Sequence, residues 1–195
     1  MISEQDIIHL QTVVNKLKAA GRYEELLSIV GVPSLQQMNL EAAKARLSPL
    51  VITSDYRFLL PTYKKEVVLP PIHKALYILF LNHPEGIEYK RLVEYKEELT
   101  GLYRSIGTRI NDQVIAKSID RLVSPLDNSV NEKAARIKST FAMCMDEYQL
   151  SYYVISSHTV RHIEGSSRIW FERKKSISLP RQLIKMEFQQ KQEVL

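Results

Sequence analysis

The run Asn128-Ser129-Val130-Asn131-Glu132-Lys133-Ala134-Ala135-Arg136-Ile137-Lys138-Ser139-Thr140-Phe141 constrains this chain most. Ser129-x-x-Glu132 has the form of a capping box, in which two side chains satisfy backbone N–H groups that a helix start leaves unpaired. Val130, Ala134, Ile137 and Phe141 then recur at i, i+4, i+7 and i+11, which is one face of an α-helix. Glu132, Ala135, Arg136 and Ser139 fall opposite, with Asn131, Lys133 and Lys138 on the flanks. The outer face is therefore small, polar and basic. A helix of this kind buries its back in a domain and can lay its front in a DNA major groove. An ordinary amphipathic surface helix has the same pattern, so the surrounding segments decide between the two.

Charge distribution narrows the choice. Of 27 Lys/Arg and 22 Asp/Glu, residues 1–55 hold 5 and 6, residues 56–84 hold 4 and 1, residues 85–127 hold 7 and 8, and residues 128–195 hold 11 and 7. The positive surplus thus lies in 56–84 and 128–195, which favours a polyanionic partner. The single cysteine, Cys144, excludes an intramolecular disulfide and a cysteine-based metal cluster, and reads as a buried free thiol. No apolar run approaches the roughly 20 residues that span a bilayer. The acidic start, Met1-Ile2-Ser3-Glu4-Gln5-Asp6, is unlike a secretory signal. A cytoplasmic protein is the expectation.

Periodicity orders the rest. Residues 3–30 read as two helices broken at Gly21, Gly31-Val32-Pro33-Ser34 as punctuation, and Leu40–Leu47 as a third short helix. The wide apolar face of the first helix needs a cover, either the rest of the chain or the same helix of a second copy. Residues 56–69 suggest a small antiparallel pair, leading through Pro70-Pro71 into a core helix, Ile72–Leu81. A long helix over Tyr89–Ile106 and another over Asp112–Val123 follow, then the tight turn Ser124–Asn128. Beyond Met145 the period becomes two. Gln149–Ser156, Thr159–Ile163 and Arg168–Phe171 read as strands joined at Ser157-His158 and at 164–167. Arg181–Glu193 reads as a final helix.

A sheet pair, several helices and a basic hairpin follow the order of a winged-helix domain. Glu66-Val67-Val68-Leu69, with the helix ending Leu79-Phe80-Leu81-Asn82-His83-Pro84-Glu85-Gly86-Ile87, resembles the start of the DNA-binding output domain of two-component response regulators. Val130 followed by Arg136-Ile137-Lys138 resembles that family's recognition helix. The resemblance covers about residues 56–171 and implies a winged helix that binds double-stranded DNA. Departures are an extra helix at 112–123 and Glu164-Gly165-Ser166-Ser167-Arg168-Ile169-Trp170 in place of the family's Gly-x-Gly-Tyr ending. Residues 1–50 are also too short and too helical for a phosphoacceptor receiver, so phosphorylation control does not carry over.

The chemistry points the same way. Arg136 can pair with guanine O6 and N7, Asn131 can read adenine and Ser139 can touch a phosphate. Lys133, Lys138, Arg161, Arg168, Arg173, Lys174 and Lys175 would meet the backbone or, from the wing, a minor groove. His158 and His162 have i, i+4 spacing, but on a strand and turn this does not converge on a metal. His9, His73 and His83 read as structural, and Glu97-Glu98 as a solvated helix face. No phosphate loop or nucleophile elbow is present, so no enzyme, metal or cofactor is expected. The expectation is an α+β chain: a helical segment over 1–50 that could pair a homodimer, a winged helix-turn-helix over 51–180, and a C-terminal helix and tail over 181–195. Its expected role is transcription regulation, with helix 129–145 and a basic wing at 158–175 on DNA. The other candidate is a winged-helix module that docks on protein.

Overall fold

The computed structural model describes the backbone of residues 2–164 and 168–188, and side chains there except those of 32–34 and 160–170. The fold is α+β and divides into two units, at Arg46 and Leu47. In the first unit α1 (Glu4–Ala19) starts on a complete capping box between Ser3 and Asp6 and ends near Gly21. α2 (Tyr23–Val30) and α3 (Val32–Lys44) follow. The stretch 31–34 is not a break. Gly31, at φ +75°, acts as N-cap and Pro33 occupies the first turn of α3, where its missing N–H costs no hydrogen bond.

The second unit begins with β1 (Leu50–Ile52), β2 (Phe58–Leu60) and, after a 3-10 turn at Pro61–Tyr63, β3 (Lys65–Val67). β1–β2 and β2–β3 pair antiparallel. Pro70 and Pro71 lead into α4 (Pro71–Asn82), and every residue from Ala75 to Leu81 is buried. The continuous apolar run is therefore the centre of the core.

Residues 89–106 are not one helix. Tyr89–Tyr95 is 3-10 and only Lys96–Ile106 is α-helical, α5. Tyr89, Leu92 and Tyr95 lie three apart, which is the 3-10 period, and these are the residues that pack inward. α6 (Asp112–Val123) and α7 (Ser129–Ala142) follow, α7 ending three residues before the expected 145.

Aromatic rings join these layers. Phe58, Tyr77, Phe141 and Tyr153 form a chain of contacts with centroid separations of 5.6, 5.1 and 5.7 Å. The buried Tyr77 hydroxyl donates to the Tyr153 carbonyl at 2.7 Å, and the Tyr153 hydroxyl to the Ser48 carbonyl at 2.5 Å. Both phenols thus bury their area without leaving a polar group unpaired.

Two expected elements are replaced. Gln149–Ser156 is not a strand: α8 (Glu147–Tyr153) forms there, opened by a capping box between Asp146 and Gln149. The box satisfies two helix N–H groups and outweighs the strand preference of Tyr152, Tyr153 and Val154. Strand begins at Ile155, and β4 (Ile155–Glu164) runs unbroken through Ser157-His158 to pair with β5 (Arg168–Ile177) over ten register positions. The expected C-terminal helix is also absent over 181–188. A 3-10 turn, Arg181–Leu183, leads to β6 (Ile184–Met186), which pairs parallel with β1 and completes a sheet of order β3-β2-β1-β6. Residues 189–193 of that expected helix lie outside the described residues. Ile184, Met186 and Phe188 pack inward while Lys185 and Glu187 stay exposed, a period of two that the open edge of β1 selects.

Candidate nucleic-acid interface

α7 forms as a helix, but not through the expected capping box. Asn128 is the N-cap and makes no side-chain cap bond. The Asp127 carboxylate accepts the Ser129 N–H at 2.8 Å, and the Ser129 hydroxyl accepts Lys133 Nζ at 2.6 Å. Asp127, two residues ahead of that N–H, is the natural Asx-type acceptor and pre-empts Ser129. Asp127 also receives Arg121 at 3.3 Å, and the Ser129 N–H holds its carboxyl below the usual range.

The helix faces follow the periodicity. Val130, Ile137 and Phe141 are buried, Ala134 is half-buried, and Asn131, Glu132, Ala135, Arg136, Lys138 and Ser139 are exposed. Among the described residues, Arg136 and Lys138 have no carboxylate partner, whereas the Ser139 hydroxyl already donates to the Ala135 carbonyl at 3.0 Å. Asn131 is held by Asn128 Oδ1 at 2.9 Å. Lys133 is half-buried. Its pKa is lowered, by burial first and by the neighbouring Arg121, against the pull of Glu132 and Asp127.

A space lies on either side of the first turns of α7. On the hairpin side a space of about 660 Å³ is lined by Lys90, Arg91, Asn131, Phe171, Arg173 and Lys175, with Glu88 and Glu172 among the others. Lys175 Nζ lies 4.8 Å from the centre of the Tyr89 ring, and burial together with Arg173 lowers its pKa. In the hairpin register Ser157 opposes Lys175 and Thr159 opposes Arg173, so each pair shares a face. Two hydrogen bonds of 2.9 Å between Ile87 and Lys175 fix the hairpin to the segment entering the 3-10 stretch. Lys174 belongs to the opposite face. It pairs with Glu172 at 3.3 Å and is not brought to the front of the groove.

On the other flank a space of about 380 Å³ lies between α6 and α7, lined by Ile72, Val114, Lys117, Arg121, Ser129 and Lys133 among others. Sequence reasoning passed over Lys117 and Arg121. Their signal was the i, i+4 spacing that puts two cations on one side of α6. Beside them the pKa of the buried His73 ring is pushed down to about 4 by burial, then by Lys133 and Arg136, and its Nδ1 has no hydrogen-bond partner among the described residues. Of the remaining expected contacts, the side chains of Arg161 and Arg168 lie outside the described residues.

The expectation of Glu97-Glu98 as a solvated face needs one correction. The protonated His83 ring donates from Nε2 to Glu98 at 2.8 Å and from Nδ1 to Glu85 at 3.0 Å, and Asn82 donates to Glu98 at 2.9 Å. Glu98 is therefore a partner of the α4 end rather than a solvated face. His158 Nδ1 lies 3.2 Å from the Ser176 hydroxyl, and His162 lies outside the described side chains. Among the described residues no three His, Cys, Asp or Glu side chains converge as metal ligands, and no helix is long and apolar enough to cross a membrane. No family model matches this chain, and neither does any curated protein or solved structure.

Proposed function

We propose that the protein is a sequence-specific DNA-binding regulator whose second unit acts as a winged helix-turn-helix. One observation carries this reading: α7 is exposed along Arg136 and Lys138, and its first turns stand between two spaces whose linings hold more Lys and Arg than Glu. A major groove about 12 Å wide admits one helix and is bounded by two phosphate strands. A ridge bearing Arg136 and Asn131 fits the base edges, while the two sets of flanking cations fit the strands. The order of core helix, α5, α6, α7 and, after the short α8, a hairpin supports the winged-helix arrangement, with the hairpin as wing.

The test is fluorescence anisotropy on a random-sequence duplex at low and near-physiological salt. Binding that weakens steeply with salt is expected, because Lys and Arg displace condensed counterions. Arg136→Glu/Lys138→Glu, at exposed positions, should abolish it with the helical circular dichroism intact. A folded protein that binds no duplex even at low salt overturns the reading. The alternative, a winged helix that docks on protein, is favoured by Phe171, 67% exposed at the mouth of the hairpin-side groove. Under that alternative Phe171→Ala, not the charge reversal, would remove the activity.

A further inference from the structure

The first unit has an apolar surface that its own helices do not cover. α1 has 16 residues and is about 24 Å long, whereas α2 has 8 and spans about 12 Å. The turn at Gly21 folds α2 back, so it can shelter only the second half of α1. Val14 and Leu17 are accordingly half-buried, as are Leu26 and Val30. Towards the N-terminus Ile7, Ile8, Leu10 and Val13 remain 49%, 57%, 63% and 39% exposed, and no residue of α1 is buried. Ala43 is the only buried residue among those described in the unit. So small a core does not sustain a helix that is marginal when isolated.

The pattern identifies what covers it. Ile7, Leu10, Val14 and Leu17 are spaced 3, 4 and 3 apart, the a and d positions of two heptads. The unit carries five Lys/Arg (16, 18, 22, 44, 46) and five Asp/Glu (4, 6, 24, 25, 41), so it does not repel a copy of itself. Its charges are sorted along α1, with Glu4 and Asp6 in the first turn and Lys16 and Lys18 in the last. The helix dipole accounts for that sorting but not for the apolar stripe beside it. Asp6 is already committed to the cap at Ser3. A parallel pair would set Glu4 on Glu4 and Lys18 on Lys18. An antiparallel pair centred near Gln11 sets Glu4 against the other copy's Lys18, and in the same register Ile7 and Leu10 against its Val14 and Leu17.

We infer that α1 is the docking surface for a second copy of this chain, the two α1 helices running antiparallel. The pairing has two-fold symmetry and each copy supplies the same patch. It stands on the first unit alone and does not depend on the DNA reading.

The experiment is sedimentation equilibrium of the full-length protein, without DNA, from about 1 to 100 µM. The result expected is a dimer of twice the 22.6 kDa chain. Ile7→Glu and Leu10→Glu, at exposed positions, should each give a monomer with helical content retained. Glu4→Lys or Lys18→Glu alone should weaken the dimer about tenfold, because two symmetric pairs change from attraction to repulsion. The two together should restore it to within about twofold. A monomeric wild type, which would mean that α1 is covered within its own chain, overturns the proposal. So does a dimer that the Ile7 and Leu10 variants leave intact. Insensitivity to both single charge reversals overturns the antiparallel arrangement, since a parallel pair would merely exchange one like-charge contact for another.

Discussion

His73 and His83 lie at the two ends of α4 and titrate in opposite senses. Burial, with Lys133 and Arg136 nearby, holds His73 neutral down to about pH 4. A depressed histidine contributes stability that is present above its unfolded value near 6.5 and is lost as pH falls through the folded value. For His73 that window is pH 6.5 to 4, and the loss is on the order of 3 kcal/mol at most. At His83 burial works against charging, but hydrogen bonds to Glu98 and Glu85 outweigh it and raise the pKa. Its contribution is full below 6.5 and is lost as pH rises through the folded value. The first prediction is that His73→Leu flattens the stability profile between pH 6.5 and 4. It should also stabilise the fold by about 1 kcal/mol at pH 7, by removing a buried Nδ1 that has no partner among the described residues. Urea melts at pH 7.0 and 4.5 test both effects, and an unchanged pH 4.5 loss in the variant would refute the assignment. His83→Gln should act in the other direction, removing stability at pH 6 while changing little at pH 9. The expectation of a structural role for both residues was legible in the sequence. Their opposite environments were not, because Lys133 and Glu98 reach them from other helices.

At the scale of elements, periodicity located the core helix, α6, α7 and the β2–β3 pair, and misjudged the first half of 89–106, α8 and β6. The core helix and the face of α7 follow from spacing alone, since a wrong assignment would expose many apolar residues at once. α8 and β6, with 7 and 3 residues, are decided by two side-chain caps and by an open strand edge. At Asp127 the capping competition could have been read from the sequence, but only by weighing the Asx turn against the capping box. Gly86 is the position at which the hairpin depends on a single residue. Its φ is +85°, and a Cβ there would lie 3.0 Å from both the Lys175 carbonyl oxygen and His158 Cε1. Gly86→Ala should therefore strain the backbone and push β5 from Ile87, costing about 1–3 kcal/mol. Chemical denaturation gives the cost. Limited proteolysis should show earlier cleavage in the hairpin than in α4–α6, and an unchanged digestion pattern would refute the attachment.

For the molecule as a whole, net charge by segment was an incomplete guide to the interface. Residues 85–127 sum to slightly acidic, yet they supply Lys90, Arg91, Lys117 and Arg121 to the two grooves. The acids of that segment cancel them only in part: Glu94 meets Arg91 at 2.8 Å and Asp127 meets Arg121 at 3.3 Å, whereas Asp120 pairs with Lys96 at 2.7 Å and Asp112 with Arg104 at 3.0 Å. Segment sums average over helix faces, whereas a partner meets one face. If each groove holds one phosphate strand, the two make separate contributions to the salt dependence of DNA binding. Lys117→Gln/Arg121→Gln removes two cations from the α6 side, and Lys90→Gln/Arg173→Gln removes two from the hairpin side. Each pair should reduce the slope of log affinity against log salt by about 2, at roughly 0.9 per phosphate contact. Without shared partners the losses should add, so the quadruple variant should lose about 4. A slope that responds to one pair only would place DNA on one side of α7 and remove the ridge-in-groove geometry. A slope that responds to neither, with binding retained, would assign the contact to another surface of the protein.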